Sequence, residues 1–161
     1  MVEPADTLVV MIEAAAALAG FAGIVAALRR EKWTELDSLQ IKNLLSCAFS
    51  ALFVSILALV MMHAEFEEKI TWITLSAAWF LAGSVATARN AFDYRKLSKT
   101  TGQTFPSASN LFWFSTVLVV LALQVCNIIV LTAFWPVLLG IAWLFALCCF
   151  SFWQLLIRHN Q

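Results

Sequence analysis

TLVVMIEAAAALAGFAGIVAAL, residues 7–28, contains one ionisable side chain, Glu13. An α-helix needs about 20 apolar residues to cross a hydrocarbon core of roughly 30 Å, so this stretch predicts a membrane-spanning helix. A carboxyl group inside a span is costly, which makes Glu13 a candidate functional residue from the outset. Four more apolar runs follow, at residues 41–63, 72–88, 111–134 and 137–157. Trp135 and Pro136 separate the last two, which together are too long for one helix. Because proline cannot donate the backbone bond, a tight hairpin is predicted there. The fold class is therefore all-α: a polytopic membrane helical bundle with five transmembrane helices, forming a single domain over residues 1–161.

Composition agrees. Of 161 residues, 62% are hydrophobic and 12% charged, and the mean hydropathy is +0.87. Soluble domains average about 45–50% apolar and roughly 25% charged residues. Such a chain uses the lipid bilayer as solvent for much of its exterior. Its formal net charge is zero, so it has no overall basic field to attract nucleic acid. The cysteines, Cys47, Cys126, Cys148 and Cys149, all fall in apolar runs without CxxC spacing and read as small apolar side chains. Cys148 and Cys149 point to different sides of a helix.

Charge sets the expected orientation. Arg29, Arg30, Lys32, Lys42, Arg89, Arg95, Lys96, Lys99 and Arg158 fall on one side of a five-span chain, and only Lys69 on the other. The positive-inside rule then predicts an N-terminus outside and a C-terminus in the cytoplasm. The outer segments are acidic, with Glu3, Asp6, Glu65, Glu67 and Glu68. Trp33, Trp113 and Trp153 fall near the inner interface and Trp72 and Trp135 near the outer one, where indole rings are favoured. Trp79 and Trp143 lie within spans. The leading MVEPAD is acidic rather than basic, so the first run reads as an anchor and not a cleaved signal peptide. Thr34 and Asp37 have capping-box spacing for a helix leading into the second span. Ser107 or Ser109 is the predicted cap of the fourth.

Residues three and four apart share a helix face. From Glu13 that face runs through Ala16, Ala17, Gly20, Gly23 or Ile24, and Ala27. Its small side chains let another backbone approach closely, so it is predicted to pack against protein, with Ala16, Gly20, Gly23 and Ala27 as the packing residues. At 1.5 Å per residue Glu13 lies about 6–9 Å below the outer boundary and Asn127 about 10 Å below it. Gln124 and Asn127 share a face and are the carboxamides of mid-span, natural hydrogen-bond partners for a carboxyl group. The expected intramembrane polar cluster is therefore Glu13, Gln124 and Asn127, joined by His63 or Ser76.

Enzymatic chemistry finds no support. His63 and His159 fall on opposite sides of the predicted membrane. No HExxH, GxSxG, P-loop or metal-spaced Cys/His set occurs, so no catalytic residue, metal site or cofactor is predicted. The segment Glu13-x(4)-LAGFAGIV, a basic Trp-containing loop after it, a Leu/Ser-rich second span and the later Gln124-x-x-Asn127 pair resemble a family of small uncharacterised bacterial multi-spanning integral membrane proteins. The resemblance implies a helical bundle in the bacterial inner membrane, and weight on Glu13, Gly20, Gly23, Gln124 and Asn127. Two function classes follow. One is a non-enzymatic assembly module, sensor or effector acting through helix–helix packing, as a homo-oligomer. The other is a small oligomeric channel or transport protein moving an ion or proton past Glu13. The odd number of spans and the lack of an inverted repeat argue against a duplicated carrier fold.

Overall fold

The computed structural model describes residues 3–29, 34–101 and 108–158. Among them every regular element is helical: α1 (Pro4–Arg29), α2 (Glu35–His63), α3 (Glu68–Thr101), α4 (Ala108–Cys126), a π-helical turn (Asn127–Leu131) and α5 (Phe134–Arg158). Five helical stretches are long and apolar enough to cross a membrane, the make-up of a multi-pass membrane protein. Where the sequence reads as one domain, the chain divides into two compact units. One comprises Met1–Glu67 with Gly140–Gln161, the other Glu68–Leu139.

In the first unit α1, α2 and the later part of α5 meet through small side chains. Ala22, Leu44, Ala48 and Cys148 form the core cluster, with Leu18, Ala19, Leu45, Cys47 and Phe152 packed against it. Phe21 meets Phe152 edge to face, with ring centroids 5.3 Å apart. Leu44, Ala48, Ala51, Ser55 and Ala58 of α2 are all buried, at the three- and four-residue spacing of one helix face. Gln40 Nε2 donates to Gln154 Oε1 at 2.6 Å, tying the start of α2 to α5.

The first turn of α2 is held by a reciprocal cap. Asp37 N–H donates to Thr34 Oγ1 at 3.2 Å, and Thr34 N–H donates to Asp37 Oδ2 at 3.0 Å. Aspartate serves where glutamate is usual because Thr34 O–H also donates to Asp37 Oδ2, at 2.7 Å. The helix then runs unbroken into the second span. It ends in a tight turn in which Glu65 takes a left-handed φ of 56° and Phe66 N–H reaches back to the Met61 carbonyl at 3.3 Å.

In the second unit α3 and α4 run antiparallel. Ser76 lies opposite Asn127, Gly83 opposite Leu121 and Tyr94 opposite Phe114. Gly83 is where the helices approach closely. A Cβ there would stand 3.2 Å from both Leu121 Cδ2 and the Trp79 ring. This gives Trp79, buried in mid-span, its place: it lies over the glycine. Thr71, Trp72, Leu75, Ser76 and Trp79 make one buried face of α3. At its start Trp72 Nε1 donates to Glu68 Oε1 at 3.2 Å, and the Trp72 ring meets Phe134 with centroids 5.1 Å apart.

Two boundaries differ from the sequence expectation. The segment after Arg89, expected as a loop, continues as helix to Thr101. No glycine or proline interrupts it, and Leu97 is buried at 7% exposure, so the extension has a packed side. The hairpin between the last two spans turns at Thr132 and Ala133, with Trp135 and Pro136 already inside α5. Proline is tolerated in a first helical turn because the N–H groups there lack intrahelical acceptors. Ser107, one of the two candidate caps of α4, lies outside the described residues.

Thr34→Ala should destabilise the chain by about 1 kcal/mol, the ordinary worth of an N-cap, and Thr34→Ser should restore it. Reversible unfolding in detergent, followed by circular dichroism, measures this. Equal stability of Thr34→Ala and the wild type would mean the cap contributes nothing.

Candidate functional site

The second unit holds a buried polar cluster built around one amide. Asn127 is the first residue of the π-helical turn and is fully buried. Its Nδ2 donates to Ser76 Oγ at 2.7 Å and to the Ala133 carbonyl at 3.1 Å. Its Oδ1 accepts the Ala133 N–H at 2.9 Å, and its own carbonyl accepts the Thr132 N–H at 2.9 Å. One residue thus closes the hairpin from the backbone and the side chain together.

The local backbone explains why that residue must be an amide. Thr132 takes a left-handed conformation, φ 43° and ψ 45°, which a threonine adopts only at a cost and under compensation. The turn leaves the N–H and C=O of Ala133 outside any helix. Backbone groups withdrawn from water without partners cost about as much as a lost hydrogen bond each. A carboxamide offers a donor and an acceptor side by side and satisfies both. Its remaining Nδ2 proton reaches across to α3, where Ser76 is fully buried.

Gln124 lies one turn earlier on α4, also fully buried. Its Nε2 donates to the Pro136 carbonyl at 2.9 Å, a second tie from α4 to the first turn of α5. Its Oε1 is enclosed and accepts no hydrogen bond from the described residues. The cluster as a whole is neutral. Ser76, Gln124 and Asn127 do not ionise near neutral pH, so the arrangement holds helices together and carries no proton by itself.

The structure therefore brings Ser76, Gln124 and Asn127 into one unit, while Glu13 and His63 belong to the other. Both are exposed, and neither makes a hydrogen bond with another described residue. Asn127 needs no carboxyl partner, because Ala133 and Ser76 already occupy its amide. The amide of Asn127 is thus satisfied within its own unit, without Glu13.

The packing residues predicted on α1 stand on the side of that helix left open within the chain. Ala16, Gly20, Gly23 and Ala27 are all exposed together with Glu13, and nothing lies within 4 Å of a Cβ added at either glycine. The buried side of α1 is the opposite one, through Leu8, Ala15 and Ala22, with Leu18 and Ala19 against the core. Alanines occur on both faces, so small size alone does not choose between them. The leucines on one side do, because they fill the space between three helices.

Sequence reasoning missed two things here. One is the role of Asn127 in the turn, which a carboxamide five residues before Thr132 signals only once the turn is placed. The other is the meeting of Cys47 with Cys148, which are too far apart in sequence to form a motif. No protein-family model, curated protein or solved structure matches this chain.

Asn127→Ala should lower stability by about 2–4 kcal/mol, because it strands the half-buried backbone groups of Ala133 as well as removing bonds. Ser76→Ala should cost only about 0.6–1 kcal/mol, the usual worth of one inter-helix hydrogen bond in a membrane. A double-mutant cycle read by unfolding in detergent should give a coupling close to the Ser76→Ala value. Equal costs for the two single variants would contradict the turn-closing role.

Proposed function

We propose that this protein is a non-enzymatic helical membrane assembly module that works through the exposed face of α1, in the first instance against a second copy of itself. The observation that carries the reading is the company of Glu13. A carboxyl group, two glycines and three alanines share one exposed face of a membrane-length helix, and no atom approaches within 4 Å of the Cβ positions of the glycines. Facing lipid, a carboxyl at that depth costs a few kcal/mol. Facing another helix, it can be hydrogen-bonded, and glycine and alanine let the two backbones close on each other. Only 17% of the α1 span window is buried within the chain, so most of that helix is left for lipid or a partner. The charge distribution supports a bacterial inner-membrane orientation with the N-terminus outside and the C-terminus in the cytoplasm.

Gly20→Leu and Gly23→Leu, made together, should weaken self-association at least tenfold while leaving the fold intact, since neither site is occupied. Energy transfer between labelled chains in lipid vesicles, diluted with lipid, measures it. A wild type that stays monomeric, or an association unmoved by the two leucines, would refute the reading.

A second reading rests on the same carboxyl. Glu13 is the one ionisable side chain of residues 7–28, and in a self-assembled pair or ring it would line the contact, where a proton or cation could pass. Proteoliposome flux of wild type and Glu13→Gln separates the two. The assembly reading expects both to match empty vesicles. Flux above that level in the wild type, abolished by Glu13→Gln, would establish transport instead.

A further inference from the structure

α2 and α5 bring two of the four cysteines together. Cys148 is buried at 1% exposure, in the cluster with Ala22, Leu44 and Ala48, and Cys47 packs against that cluster. The two side chains thus meet in one packed cluster, where Cys148 Sγ donates to the Leu44 carbonyl at 3.5 Å. Both are free, as are Cys126 and Cys149, which are exposed. The meeting is specific: Cys149, next in sequence to Cys148, points away from the core.

We propose that Cys47 and Cys148 are a redox-active dithiol that closes into a disulfide joining α2 to α5, with a neutral, lipid-soluble two-electron acceptor of the quinone class as oxidant. Closing the bond requires the two sulfurs to meet at about 2.05 Å, which rotation of two side chains packed in one cluster has to supply. Both S–H bonds break and one S–S bond forms. The two electrons and two protons pass to the quinone, which leaves as the quinol.

Location selects the product and the oxidant. The cluster around the pair is apolar, and an apolar surrounding penalises charge heavily. A metal held by two thiolates would leave net negative charge there, whereas a disulfide is neutral. Cys47 lies about 18 Å along α2 from Glu35 at 1.5 Å per residue, inside a helix that qualifies as a membrane span. Charged oxidants such as glutathione disulfide do not dissolve at that depth, and a quinone does. The outcome is a covalent clamp across the core on which α1 rests, through Leu18, Ala19 and Ala22. Cys47 is the half-buried and Cys148 the buried member, which makes Cys47 the thiol that meets the oxidant first.

The test uses the full chain carrying Cys126→Ser and Cys149→Ser, both at exposed positions, in membranes. After treatment with a short-chain ubiquinone analogue, or separately with diamide, the protein is denatured, titrated with a maleimide and digested for mass spectrometry. The expected result is loss of both remaining thiols, appearance of the linked Cys47–Cys148 peptide and full recovery with dithiothreitol. Adding Cys47→Ser should leave the one thiol reactive throughout. Two thiols that stay reactive to both reagents would overturn the pair. Linkage by diamide but not by the quinone would overturn the choice of oxidant.

Discussion

The amide of Asn127 is the interaction on which the second unit depends. Two apolar helices joined by a short turn face one problem: the turn leaves peptide groups outside both helices, and those withdrawn from water need partners. Asn127 supplies the donor and acceptor that water would have supplied, at 3.1 and 2.9 Å from Ala133. Its third bond, to Ser76, fixes the turn to α3. Gln124 repeats the arrangement one helical turn away by tying α4 to the Pro136 carbonyl. The π-helical geometry of residues 127–131 belongs to the same solution, because the Thr132 N–H reaches the Asn127 carbonyl five residues back. Asn127 and Gln124 thus serve the turn, by supplying partners for the backbone of Ala133 and Pro136.

Much of the architecture was legible in the sequence, for a simple reason. Span length is set by bilayer thickness, and apolar runs of that length have few other uses. The capping box at Thr34 and Asp37 was equally plain, since its residues are adjacent and act locally. What failed depended on tertiary context. Proline at 136 marked the hairpin within a few residues, but proline also suits a first helical turn, so it did not fix where the chain reverses. Arg89 marked the end of the third apolar run and not the end of its helix, because helix continuation depends on propensity and packing as well as on hydropathy.

The faces of α1 show the deeper limit. The helix is nearly uniformly apolar, with alanine on every side, so periodicity does not separate core from exterior. Close packing against α2 and α5 was awarded to the face with Leu18, Ala19 and Ala22, and the Glu13 face was left outside. Three polar residues of the expected cluster, Ser76, Gln124 and Asn127, were found by asking which buried polar groups need partners. Glu13 was grouped with them by depth and by the hydrogen bonding a carboxamide offers a carboxyl group, whereas Asn127 takes its partners from its own unit. The dithiol was invisible for the opposite reason: its members carry no polarity that demands a partner, and only the helix packing brings them together.

The unbroken length of α3 has a mechanical consequence. Thirty-four residues at 1.5 Å each make a rod of about 51 Å, well beyond the roughly 30 Å of a hydrocarbon core. Arg89, Arg95, Lys96 and Lys99 are therefore carried at successive heights on a stiff stalk braced by the Tyr94–Phe114 contact. Lys99 stands about 15 Å further along the rod than Arg89, nearly two screening lengths at physiological ionic strength, where the Debye length is about 8 Å. A tilt of the span would swing the stalk's tip, turning a small rotation within the bilayer into a larger displacement outside it.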